Sequence, residues 1–132
     1  MKLLLDTHAF LWALMAPEKL GRNARSAMES PGNEIFVSAI SFWEISLKYS
    51  LGKLLLEGIT PDELPSVAEE AGFSFCTMEP RIAASFHQLP RIGHKDPFDR
   101  MLIWQAFQAD FTLLSKDSAV EHYTELGLKI LW

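Results

Sequence analysis

Short apolar blocks alternate with longer polar or amphipathic stretches along the whole chain, and that alternation predicts the elements. Lys2–Asp6, three leucines closed by a carboxylate, reads as a buried strand. Thr7–Met15 is apolar nearly all round and predicts a helix that ends before Pro17. Arg22–Ser30 predicts a polar, alanine-containing helix stopped by Pro31-Gly32. Glu34–Ser38, carrying Ile, Phe and Val, predicts a second strand. Ser41–Leu51 predicts a helix with Gly52 as its stop. Thr60-Pro61-Asp62-Glu63 supplies a cap, a first-turn proline and an acid, so a helix runs from there to Gly72. Phe73–Thr77 follows as a strand and Pro80–Leu89 as a helix. After a loop, Asp96-Pro97 opens a long helix reaching about Ala109. Phe111–Ser115 reads as a buried strand, Ser118–Leu126 as a helix and Lys129–Leu131 as a last short strand.

Strands separated by helices need crossover connections, which favour a mostly parallel central sheet with helices on both faces, a three-layer α/β/α arrangement. At 132 residues, with no repeat, linker or low-complexity tract, residues 1–132 are expected to form a single domain. The helix over Pro97–Ala109 places Phe98, Met101, Leu102, Ala106 and Ala109 on one face, yet Ile103, Trp104 and Phe107 make its other faces apolar too. It is therefore expected to be covered by the sheet on one side and by a second subunit on the other.

Composition narrows the class. Hydrophobic residues make up 48% and charged residues 22%, as in a folded globular chain. The one cysteine, Cys76, cannot form an internal disulfide and sits in the apolar run Phe73–Cys76, which reads as a buried, reduced thiol. No apolar run reaches the roughly 18 residues that span a bilayer, so the expected location is the cytoplasm and no membrane partner is expected. The formal net charge of −5 argues against an unaided grip on a phosphate backbone. A nucleic-acid function would have to explain that acidity.

The acids fall in informative places. In an open parallel sheet, ligands bind beyond the carboxyl ends of the strands. Asp6 closes the first strand, and Asp117 follows the strand Phe111–Ser115 by two residues. Glu44 and Asp99 sit in the first turns of predicted helices, which open on the same rim. Each has a plain structural explanation as well. Ser41–Glu44 fits a capping box, Glu44 and Lys48 are spaced four apart as a helix-surface pair, and Asp96–Asp99 fits a cap followed by a dipole-favoured acid. Asp117 is less easily explained, because Ser118–Glu121 already offers a capping box for the last helix. Asp6 is hardest to explain, since a carboxylate buried at a strand end costs several kcal/mol unless a cation compensates. A hard divalent ion bound by a few carboxylates and waters is the natural compensation.

Four segments together resemble the PIN-domain nucleases, and more narrowly the VapC-type toxins of bacterial toxin–antitoxin pairs. They are Leu4-Leu5-Asp6-Thr7-His8, Ser38–Ile45, His94–Ile103 and Leu113–Asp117, in that order over the whole chain, with Asp96-Pro97-Phe98-Asp99-Arg100 the most specific. The resemblance implies a metal-dependent endoribonuclease using Mg²⁺ or Mn²⁺, with Asp6, Glu44, Asp99 and Asp117 as the acidic catalytic and metal-binding quartet. It also implies supporting roles for Asp96, Ser115 and Thr7, a cognate antitoxin and a homodimer. A catalytically silent module of the same fold, binding RNA or a protein partner, is the alternative.

On this reading two bound Mg²⁺ would bring the formal charge to about −1, where phosphate must sit. Arg100, Lys95, Lys116 and His94 lie beside the quartet in sequence and become possible RNA contacts. His8 reads as an ordinary helix-start histidine, and Trp12, Trp43, Trp104 and Trp132 as core or subunit contacts among apolar neighbours. A phosphate-accepting receiver domain would want paired acids after the first strand, and an aspartate-based phosphatase a second acid two residues after the first. Thr7 and His8 stand there instead.

Overall fold

The computed structural model describes residues 1–93 and 95–132. Five strands form one sheet: β1 (Lys2–Leu5), β2 (Glu34–Ser38), β3 (Ser74–Cys76), β4 (Thr112–Leu114) and β5 (Lys129–Leu131). Every pairing is parallel, and the spatial order is β3-β2-β1-β4-β5. Six α-helices are assigned among the described residues: α1 (Thr7–Met15), α2 (Arg22–Glu29), α3 (Ala39–Ser50), α4 (Leu64–Glu70), α5 (Pro80–Ser85) and α6 (Pro97–Ala109). The expected parallel sheet is thus parallel throughout.

The leucines of β1 explain why it lies at the centre. Leu3 and Leu5 enter one apolar cluster with Phe10, Val37 and Ile45, while Leu4 enters another with Leu102, Ile103 and Tyr123. A strand whose alternate residues feed two cores must be covered on both faces. The chain runs outward from β1 to β2 and β3, then crosses back to lay β4 on the other side of β1. The reversal of strand order therefore falls between β1 and β4, where such sheets open a crevice.

Two segments depart from the sequence reading near the acids. Helix α3 begins at Ala39, because the Ser38 hydroxyl accepts from the Ile40 amide at 3.0 Å and turns strand directly into helix. Ser41–Glu44 is therefore no capping box, and Glu44 lies in the second turn. The segment Ser118–Leu126 winds as a 3-10 helix, which stacks Val120 and Tyr123, three residues apart, into the core. Its cap is Asp117, whose carboxylate accepts from the Ala119 amide at 2.9 Å. The capping duty assigned to Ser118 belongs to Asp117.

Part of the second cover of α6 comes from within the chain. Trp104 donates its indole N–H to the Ile82 carbonyl at 3.0 Å, and Ile82, Phe86 and Leu89 pack on the same cluster. Within the chain, helix α5 and the turn after it cover the Trp104 side of this helix. Among the described residues, no helix is long and apolar enough to cross a membrane.

Candidate active site

Each acid is placed by the element beside it. Asp6 continues the β1 ladder through its amide, which donates to the Leu114 carbonyl at 3.1 Å, and its carboxylate caps α1 by accepting from Ala9 N at 2.8 Å. Only 7% of Asp6 is exposed. That burial pushes its carboxyl above the usual range; hydrogen bonds from Ser115 and Ala9 and the charge of His8 pull the other way, and Asp117 adds to the rise. Ser115, buried at the end of β4, ties the two acids together: its hydroxyl also accepts from the Asp117 amide at 3.2 Å.

On the other side, Asp96 caps α6 by accepting from Phe98 N at 2.8 Å and Asp99 N at 3.1 Å, which sets Asp99 in the first turn. Asp6, Asp99 and Asp117 line one open cavity of about 440 Å³, together with His8, Trp12, Lys116 and Ser118. Glu44 does not line it. It stands behind, 3% exposed, and reaches the site through Thr7. The Thr7 hydroxyl lies 2.6 Å from Glu44 Oε1 and 3.0 Å from Ser41 Oγ. Threonine has one hydroxyl proton and a carboxylate only accepts, so Thr7 donates to Glu44 and receives from Ser41.

The other Glu44 oxygen pairs with Lys48, the helix-surface pair that the spacing anticipated. Burial works against the Lys48 ammonium, but the hydrogen bond and charge of Glu44, and then Asp96 and Asp99, outweigh it and hold the amine above its usual value. Lys48 therefore serves as a fixed positive charge between Glu44 and the acids at the start of α6. Sequence reading gave it only a surface role.

The basic residues separate. Lys116 lines the cavity, its ammonium 5.8 Å above the Trp12 ring. Lys95 is exposed, and His94 lies outside the described residues. Arg100 is withdrawn from the RNA contacts expected of it. Its side chain is buried, donating Nη2 to the Leu89 carbonyl at 2.9 Å and lying over Phe86 at 4.8 Å. A guanidinium held that way braces the loop before α6.

The tryptophans divide too. Trp104 is core and Trp132 half-buried, while Trp43 is 60% exposed beside Phe98. Trp12 and His8 face the cavity instead of the core. Their spacing of four on a helix capped by Asp6 puts both on the face that leaves the sheet, a signal present in the sequence.

The donor set suits a hard cation in kind: three carboxylates and a serine hydroxyl, with no thiol or imidazole cluster. Among the described residues, however, no three acid, histidine or cysteine side chains stand close enough together to form a closed ligand set.

Comparison with known proteins identifies the family. The PIN domain family model matches residues 3–126. Ribonuclease VapC22 of Mycobacterium tuberculosis is 30% identical over 129 residues, covering 98% of this chain and 97% of that protein. Among solved structures, VapBC2 of Rickettsia felis bound to a promoter DNA fragment aligns at a TM-score of 0.68 and 13% identity, covering 99% of this chain and 98% of that one. DNA-bound VapBC of Salmonella typhimurium aligns at 0.65 and 16%, covering 99% and 97%. With a family match over nearly its full length and a relative of that similarity, this chain belongs to the PIN domain family.

Proposed function

We propose that the protein is the ribonuclease toxin of a toxin–antitoxin pair, hydrolysing RNA phosphodiester bonds with the help of Mg²⁺ or Mn²⁺. The observation that carries this reading is the convergence of Asp6, Asp99 and Asp117 on one cavity at the switch point of the sheet. The name of the M. tuberculosis relative supports the activity, and the toxin–antitoxin complexes among the structural relatives support a protein antitoxin. A cytoplasmic location and a homodimer belong to the same reading.

Hydrolysis forms one P–O bond from water, breaks another, and requires a proton for the departing oxygen. A divalent cation held by Asp6, Asp99 and Asp117, directly or through waters, would neutralise charge at the phosphate and acidify the attacking water. The chain's own part is positioning. Asp6 is aimed by the Ala9 amide, Ser115 fixes the spacing of Asp6 and Asp117, and Thr7, next to Asp6, ties Glu44 to the start of α1. Glu44, engaged by Thr7 and Lys48, supports the site from behind its wall. Lys116, in the cavity lining, is the basic side chain that would meet a phosphate.

Purified protein incubated with RNA should cleave it with Mg²⁺ or Mn²⁺ and not with EDTA, and Asp6→Asn should be inactive. Cleavage by Asp6→Asn equal to the wild type would assign the activity elsewhere.

A further inference from the structure

The cavity lining is of two chemical kinds, the acids and a group of aromatic and basic side chains. In the second, His8 and Trp12 lie one turn apart on α1 with ring centroids 5.6 Å apart, and the Lys116 ammonium stands 5.8 Å over the indole. Trp12 is backed by Trp132 at 5.7 Å, and Trp132 lies tight against Gly21. A β-carbon at Gly21 would come within 2.6 Å of both the Trp132 backbone and its ring. The indole of Trp12 is thus braced from behind by a contact that tolerates no side chain, while one side of it faces the cavity.

A ligand that satisfies both kinds must carry an anionic group for the acids and their cation and a flat π-face for the aromatic group, separated by no more than the width of one cavity. A nucleotide unit has that form. Its base is available for stacking only when it is not paired and stacked within a duplex. Resting on the nuclease reading for the phosphate side, we infer that Trp12 is a stacking platform for the base adjacent to the scissile phosphate, so that the protein selects single-stranded RNA segments. The base takes the face that the flexible Lys116 side chain covers, and the released ammonium pairs with a phosphate. His8 borders the base at its edge. Trp12 is then a positioning residue, acting on where the phosphate sits and not on its chemistry.

Stacking on an aromatic side chain contributes about 1–3 kcal/mol per base, so loss of the platform should weaken binding on the order of tenfold or more. The test uses a single-stranded oligoribonucleotide carrying one 2-aminopurine, bound with Ca²⁺ in place of Mg²⁺ or Mn²⁺ so that the phosphate side keeps a cation while cleavage is suppressed. Walking the fluorescent base along the oligomer with wild-type protein should show strong quenching at one register, and uniform fluorescence would overturn the inference without any variant. Trp12→Leu should weaken binding about tenfold and remove the quench, Trp12→Phe should restore most of both, and His8→Ala should give an intermediate loss. In the cleavage assay, Trp12→Leu should raise KM far more than it lowers kcat. A hairpin stem of the same sequence that binds as tightly as the single strand, or a Trp12→Leu variant with wild-type affinity, would sink the proposal.

The two readings fail separately. Binding and quenching that depend on Trp12, with no cleavage under any metal, would uphold the platform and refute the nuclease. Cleavage indifferent to Trp12 would do the reverse.

Discussion

Removing the hydroxyl of Thr7 while keeping its shape should damage this protein more than its size suggests. Thr7→Val deletes the donor to Glu44 at 2.6 Å and leaves the Ser41 hydroxyl without its acceptor at 3.0 Å. All three residues are buried, Glu44 to 3% and Ser41 to 0% exposure, so water cannot easily replace what is lost. A hydrogen bond to a charged group contributes about 1.5–3 kcal/mol, and an orphaned buried hydroxyl costs about 1 kcal/mol or more. The Lys48 partner of Glu44 remains and limits the damage, so a loss of about 2–3 kcal/mol is expected, with melting near 60 °C lowered by roughly 7–11 °C for a chain of this size. Thermal denaturation followed by circular dichroism measures it, with Thr7→Ser as the control that restores the hydroxyl and most of the stability. In a double-mutant cycle with Glu44→Gln, the pair should show a coupling on the order of 1–2 kcal/mol. A Thr7→Val protein melting within about 2 °C of wild type, or additive single effects, would refute the claim that Thr7 joins Glu44 to the site.

Asp6→Asn should abolish cleavage and yet stabilise the metal-free fold at neutral pH. Burial raises the native carboxyl above its unfolded value, so the native state holds the proton more tightly, and stability falls as pH rises from the ordinary carboxylate range through the raised value. Denaturant titrations in EDTA across that window should show this slope in wild type and not in the Asn variant. Mg²⁺ or Mn²⁺ at ten times its dissociation constant should stabilise the wild type by about 1.4 kcal/mol. Scanning fluorimetry should find that shift lost in Asp6→Asn and Asp117→Asn. Arg100→Ala should lower stability by about 2–3 kcal/mol through its buried contacts, with the salt dependence of RNA binding unchanged. Lys116→Ala should do the opposite, reducing the salt slope by about one ion at constant melting temperature.

Much of this was legible before any coordinates, and the exceptions have physical causes. The strand Lys2–Leu5 and the helices at Thr7–Met15 and Pro97–Ala109 are dictated by local signals: a pure leucine run, an Asp cap and an Asp-Pro start. The rim position of Asp6, Asp99 and Asp117 followed from the rule that parallel sheets bind at strand ends. The start of α3 was misplaced because two serines, Ser38 and Ser41, can each serve as its cap, and only the strand geometry selects the first. The exposure of Arg100 was misjudged because nothing local marks a guanidinium whose acceptor is a carbonyl eleven residues earlier. Trp12 was read as a core or subunit contact because apolar neighbours are the usual sign of burial. Which face of α1 meets the sheet is decided by Ala9 and Phe10, and that leaves His8 and Trp12 on the other side.

The helix-capping duty of Asp6 and Asp117 has a further consequence. Each carboxylate accepts a backbone amide from the turn it begins, Ala9 for one and Ala119 for the other. The main chain thereby chooses the side-chain rotamer, and folding those turns already orients the acids, with little conformational entropy left to lose when an ion arrives. A glutamate keeps the charge but is one methylene longer, and it cannot make both the short cap and the same reach into the cavity. Aspartate is thus demanded twice at these positions, once by the architecture and once by the chemistry.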